Sequence, residues 1–221
     1  MPPLFRYFSR QYAQDFVQYG TVLLRGLSYF RDYEDEGVRA DEYEGTLVHQ
    51  PPTGLQINNI TTGISGAIPY RMESTAKEDD IFIYCMSTVL CPEIAKRFKA
   101  EVAVEIHDPL KFLARLRTSL SLRRRFNTGQ LVHENVRYYE WDEPPIVDWA
   151  RPERIATRKP KSFEWQKEYR FAVPIGDAFR VENVTVNLVQ IGTPRGLKST
   201  THPKQLLRLG NLSKICRVHA L

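Results

Sequence analysis

Ile81-Phe82-Ile83-Tyr84-Cys85-Met86-Ser87 is the stretch that decides the fold: seven residues, nearly all apolar or aromatic, bounded by acids upstream and polar residues downstream. A short run of this composition is a strand buried on both faces, and it belongs at the centre of a sheet. Working outward, Leu4–Ser9 reads as a strand, and Gln11–Tyr19 as a helix stopped by Gly20. Thr21–Leu27 reads as a second strand. Downstream, Pro92–Lys99 predicts a short helix and Val102–Ile106 a half-buried strand. Asp108–Arg125 predicts an amphipathic helix with Leu110, Leu113, Leu116 and Leu120 inward and a basic outer face. Leu131–Tyr139, Tyr169–Pro174, Val184–Ile191 and Ile215–His219 complete the strands. Strands dominate and about three helices are inserted, so the class is α+β: a twisted, mainly antiparallel split sheet in a single domain over 1–221. The segments 32–75 and 140–162 read as inserts.

The 221 residues carry 42% hydrophobic and 26% charged residues, which excludes disordered and fibrous classes. No apolar run is long enough to cross a bilayer, and no secretory signal opens the chain, so a cytoplasmic address and no membrane partner are expected. Three cysteines without paired spacing predict no disulfide framework and no zinc site. The net charge of +5 points towards a polyanionic partner.

Common catalytic motifs fail: there is no dinucleotide-binding glycine fingerprint, phosphate loop, zincin helix or nucleophile elbow. The five histidines are scattered. Asp32–Glu44 is acidic without calcium-loop spacing, and a solvated loop is expected there. Three polar positions remain on or beside strands: Arg6, Ser87 and Glu168. Ionisable groups in such positions are paired or line a cleft. Arg6 and Glu168 therefore form either a structural ion pair or an anion-binding cleft. Basic residues cluster at Arg115, Arg117 and Arg123–Arg125, and again at Arg151, Arg154, Arg158, Lys159 and Lys161. These are either solvated faces or a nucleic-acid surface, for which Arg123, Arg124, Arg125, Arg158, Lys159 and Lys161 are the candidates.

Leu4-Phe5-Arg6-Tyr7-Phe8-Ser9, the Gly20–Asp32 stretch, Phe82–Ser87 and Phe163-Glu164-Trp165-Gln166-Lys167-Glu168-Tyr169-Arg170-Phe171 together resemble DUF2971, a bacterial family met near phage-defence and toxin genes. The order Arg, Ser-Thr, Gln-x-Glu also resembles the ADP-ribosyltransferase pattern of the cholera-toxin-like branch. That resemblance implies NAD as a substrate held by Arg6, Ser87 and Thr88, with Tyr7 and Tyr29 nearby as aromatic walls. It implies Glu168 as the catalytic carboxylate and Gln166 as the residue that places the acceptor, RNA or DNA before protein, in a toxin or antiphage effector that an antitoxin could restrain. Two rivals stand beside it: a non-catalytic nucleic-acid- or partner-binding module using the basic clusters, and a metal-dependent nuclease using Asp41 and Glu42.

Overall fold

The computed structural model describes residues 1–32, 41–146, 148–194 and 202–221. In chain order the elements are β1 (Leu4–Phe8), α1 (Arg10–Tyr19), β2 (Thr21–Gly26), α2 (Leu27–Asp32), β3 (Thr46–His49), β4 (Leu55–Asn58), β5 (Ser65–Ile68), β6 (Tyr70–Thr75), β7 (Ile81–Ser87), α3 (Pro92–Arg97), β8 (Val102–Ile106), α4 (Pro109–Ser121), β9 (Val132–Asn135), β10 (Arg137–Tyr139), α5 (Pro152–Ile155), β11 (Arg158–Pro160), β12 (Glu168–Pro174), β13 (Thr185–Gln190), β14 (Lys204–Arg208) and β15 (Cys216–Ala220). This is an α+β fold with mainly antiparallel sheets.

The main sheet runs β14-β2-β7-β1-β8-β15, with β12 on the other side of β7 and β9 beyond it. Along one edge β7 meets β12 over its whole length, from Pro174↔Ile81 to Glu168↔Ser87. Its other edge is divided: β2 takes the start (Arg25↔Ile83, Gly26↔Phe82) and β1 the end (Phe5↔Ser87). The sheet splits there. In the gap the Arg6 guanidinium donates to the Cys85 carbonyl, so a side chain fills a place that a neighbouring backbone would otherwise hold.

Helices α1 and α4 cover one face, burying Phe16, Phe112, Leu116 and Leu120 against Leu24, Phe82, Tyr84, Val104 and Phe171. The opposite face packs Leu27, Leu47, Ile81, Ile83, Trp149, Ile155 and Phe179. Leu110, expected inside, is 62% exposed, and Phe112 takes the inward position. Asp108 caps α4 by accepting from the Lys111 amide at 3.1 Å. Gly20 ends α1 at φ 62°, where a Cβ would lie 2.5 Å from the Gly210 carbonyl oxygen, so no other residue fits.

Within 32–75, Pro51–Pro69, which reads as short strands or a flexible flap, forms the hairpin β4–β5, and β3 and β6 join β13 in a separate three-stranded sheet. Two expectations are corrected. Leu131–Tyr139 breaks at Val136, whose amide bonds the Glu168 carbonyl, so β10 leaves the main sheet to pair in parallel with β11. The loop 140–162 thereby carries a helix and a strand.

Candidate functional site

Antiparallel partners share a face, so the registers fix which way each candidate points. Glu168 pairs with Ser87 and Ser87 with Phe5, which puts all three on one face of the sheet. Arg6 neighbours Phe5 and therefore faces the other way, with Leu4 and Phe8, where its guanidinium lies 5.1 Å from the Tyr84 ring centroid. Arg6 and Glu168 do not meet, either as an ion pair or across a common cleft.

Glu168 belongs instead to a buried ionic cluster. Period-2 alternation sets Arg170 beside it, and Nε of Arg170 donates to Oε1 of Glu168 at 2.8 Å. The same guanidinium grips Glu44 with both terminal nitrogens, at 2.6 and 2.7 Å, and donates to the Ala156 carbonyl at 2.7 Å. Bidentate pairing of this kind is the strongest geometry an arginine offers a carboxylate. Parallel pairing of β10 and β11 brings in Lys159, whose ammonium stands 3.2 Å from Glu168 and 3.9 Å from Glu44 and donates to Oε1 of Gln166 at 2.9 Å. The Tyr138 hydroxyl accepts from the Glu168 amide at 2.8 Å. Arg170 is wholly buried, and Glu44, Lys159, Gln166 and Glu168 nearly so.

Burial alone would raise the Glu168 carboxyl, but Arg170 and Lys159 outweigh it and hold the group down at about 2. Burial lowers the Lys159 ammonium, yet Glu168 and Glu44 keep it above the usual lysine range. Cys85, behind Glu168, is driven far up by burial and by that carboxylate, so its thiol stays protonated. None of these three groups exchanges a proton near neutrality, and the cluster works as a rivet joining the turn before β3, β11 and the start of β12.

Asp41 is the exception. Burial and the like charge of Glu44 raise it to about 6, and one of its carboxylate oxygens has no hydrogen-bond partner. A carboxyl whose folded value lies above its unfolded one favours the folded state while protonated and costs stability once pH passes the folded value. Two units correspond to roughly 3 kcal/mol at most. Asp41→Asn keeps the acceptor for the Tyr43 amide. The variant is expected to raise the unfolding free energy at about pH 8 and to leave it unchanged near pH 2.5, well below the ordinary value of 3.8, where Asp41 is neutral in both states. Urea titrations at the two pH values check this, and equal effects at both would refute it.

The remaining candidates have structural partners. The Ser87 hydroxyl donates to the Gln166 carbonyl at 3.1 Å, and the Thr88 hydroxyl to the Lys167 carbonyl at 3.1 Å. The Tyr7 hydroxyl donates to Val89 and accepts from Cys91, both at 2.8 Å. Tyr29 lies under the Arg25 guanidinium at 4.2 Å. Gln166 closes a 3₁₀ turn rather than sitting in a strand, because Lys167 adopts φ 44° before β12 begins. It still converges with Glu168, through Lys159.

The second basic cluster is corrected. Lys159 is buried, Arg158 is half-buried against Asp148, and Lys161 pairs with Glu140 at 3.0 Å. Arg123, Arg124 and Arg125 are exposed. The acidic loop is corrected in part: Asp41 and Glu44 are buried, Glu42 is exposed, and 33–40 lie outside the described residues. Among the described residues no group of three His, Cys, Asp or Glu side chains is placed to hold a metal, and further acids of the loop that the nuclease reading uses fall in 33–40, outside those residues.

A second feature, missed in the sequence, is the outer face of β2 and β14. Lys204 stands directly across from Arg25, Leu206 across from Leu23, and Arg208 across from Thr21. Leu206 is 50% exposed, and Arg208 lies 5.9 Å from the ring of the exposed Tyr19. No carboxylate among the described residues pairs with Arg25, Lys204 or Arg208. Arg125 donates to Gln205 at 2.8 Å and lies over the Phe82 ring, so it belongs to the helix-covered face, opposite Lys204 and Leu206. Lys-Gln-Leu-Leu-Arg carries no alternation that would have announced a strand. No protein-family model matches the chain, and no curated protein or solved structure is significantly similar to it.

Proposed function

We propose that the chain is a nucleic-acid-binding module that holds a single strand across the outer face of β2 and β14, beside Tyr19. The observation that carries this reading is the cross-strand pair Arg25↔Lys204. Like charges directly opposite each other destabilise a sheet, and a ligand phosphate between them turns that repulsion into attraction. Guarding an open edge strand accounts for Lys204 and Arg208 on β14. It does not account for Arg25 on the inner strand, nor for Leu23, Leu206 and Tyr19 interleaved among the cations. Cations alternating with apolar and aromatic side chains suit a flexible strand whose phosphates and bases alternate in the same way. The ADP-ribosyltransferase reading needs Arg6 and Glu168 in one cleft, and their opposite orientations leave it without that support.

The test is fluorescence anisotropy with labelled single-stranded RNA and DNA over a series of salt concentrations. Three cations, Arg25, Lys204 and Arg208, predict a slope of log K on log salt of about −2.1, since each neutralised phosphate contributes roughly 0.7 on single strands. Arg25→Gln with Lys204→Gln is expected to flatten the slope by about 1.4 and to weaken binding at least tenfold. Arg217→Gln, on the exposed opposite edge strand β15, should change neither. Absence of binding, or equal losses in the two variants, overturns the reading. Transfer of label from NAD to the oligonucleotide would instead restore the transferase.

A further inference from the structure

Three stretches of twelve residues or more carry no Asp, Glu, Lys or Arg: 50–70, 81–92 and 183–194. The second is largely the buried strand β7, whereas the other two are mostly exposed, and the fold brings them together. β13 pairs with β6 from Thr185↔Thr75 to Gln190↔Tyr70, and the Ile191 amide bonds the Pro69 carbonyl at 2.9 Å, at the base of the β4–β5 hairpin. One neutral patch results. It presents Val186 and Leu188 from β13, both more than half exposed, and Ile57, Ile60 and Ile64 from the hairpin.

The tip of that hairpin is built rather than loose. The Asn59 side chain accepts from the Thr61 and Thr62 amides at 3.0 and 3.1 Å, its carbonyl accepts from the Gly63 amide at 2.8 Å, and its amide bonds the Ile64 carbonyl at 2.9 Å. This turn holds Ile60 outward at 93% exposure. Fixing a branched apolar side chain in water gains nothing for the isolated fold.

β13 is also an open edge. Among the described residues β6 is its sole strand partner. Edge strands are ordinarily protected by charge or proline, and the molecule does this at β14 with Lys204 and Arg208. β13 reads Thr-Val-Asn-Leu-Val-Gln and has no such guard. A ladder edge recruits another strand, and the neutral, apolar surface beside it suits a partner as neutral as itself.

We infer that β13 and the β4–β5 hairpin form the interface of a homodimer, in which the β13 edges of two copies pair antiparallel about a two-fold axis and each hairpin tip packs on the partner subunit. A second copy is the occupant that this edge fits, since an uncharged strand edge is complementary to itself. Two chains of net charge +5 repel one another over most of their surfaces, and contact through the uncharged patch removes most of that cost. An edge-to-edge contact of identical strands about a two-fold axis closes on itself, because it uses the β13 edge of both copies.

Sedimentation across a dilution series is the test. The wild type is expected at twice the monomer mass, dissociating on dilution, and Leu188→Lys is expected to weaken the dimer at least a hundredfold with an unchanged circular dichroism spectrum and melting temperature. Ile60→Ser should weaken it about tenfold. Tyr12→Lys, exposed on α1, should leave the mass unchanged. As a check independent of those variants, single cysteines scanned from 186 to 189 should form an intermolecular disulfide at one or two positions, whereas Tyr12→Cys should not. A monomer at every concentration, or a dimer indifferent to Leu188→Lys with no cross-link in the scan, overturns the inference. A monomer whose adsorption to uncharged lipid vesicles is abolished by Ile60→Ser would assign the patch to a lipid surface instead.

Discussion

Arg170→Met is expected to destabilise the protein by about 3–5 kcal/mol, a large share of the 5–15 kcal/mol that holds a typical domain together. The size follows from what the substitution leaves behind. Glu44 loses both of its short bonds and is left buried with Lys159 at 3.9 Å, and Glu168 keeps Lys159 and the Cys85 thiol. Equilibrium urea unfolding measures it, as a fall in midpoint at constant slope. A loss below about 1 kcal/mol, the size seen for exposed bridges, would mean that the cluster is far more hydrated than its burial indicates. Combining Arg170→Met with Glu44→Leu should recover part of the deficit, because the second change removes the orphaned charge.

The second large effect depends on pH. Glu168→Gln preserves the shape of the side chain and an acceptor for Nε of Arg170, and removes the charge that Arg170 and Lys159 enclose. With a folded value near 2 against an ordinary 4.5, the carboxylate contributes fully above the ordinary value. That contribution is lost as pH falls through the folded value. The deficit of the variant relative to wild type should therefore reach roughly 3 kcal/mol at neutral pH and shrink towards zero near pH 2. Paired unfolding curves at several pH values decide it; a deficit that does not change with pH would remove electrostatics as its cause. This measurement also separates a fold defect from a chemical one in any activity assay that uses the variant.

Much of the scaffold could be read from local pattern. Ile81–Ser87, the helix after Asp108 and the strand after Glu168 each announce themselves through composition, capping or alternation, and each lies where that pattern puts it. The site was less legible, for reasons that are physical. Glu44 sits in an acidic stretch, and what draws it inside is Arg170, 126 positions along the chain. Local pattern puts Arg6 on a strand and Glu168 beside one, yet their relative orientation follows from the registers of β1, β7 and β12, which no local pattern encodes. One clue was present: in Glu168-Tyr169-Arg170-Phe171 alternation puts the carboxylate and the Arg170 guanidinium on one face and the aromatic rings on the other, so the nearest partner for Glu168 was its neighbour two places on. β14 stayed hidden because its face is mixed, cationic and apolar together.

The pairing order of the main sheet also governs how the chain reaches this shape. β2 is bordered by β14, from positions about 180 residues later, and β8 lies between β1 and β15. Closing loops of that size precedes any reward from the contacts they make, so such a topology matures slowly. During synthesis both β2 and β8 keep a bare flank until residues 204–220 have been made, and unpaired strand edges of that kind are what expose a nascent chain to aggregation.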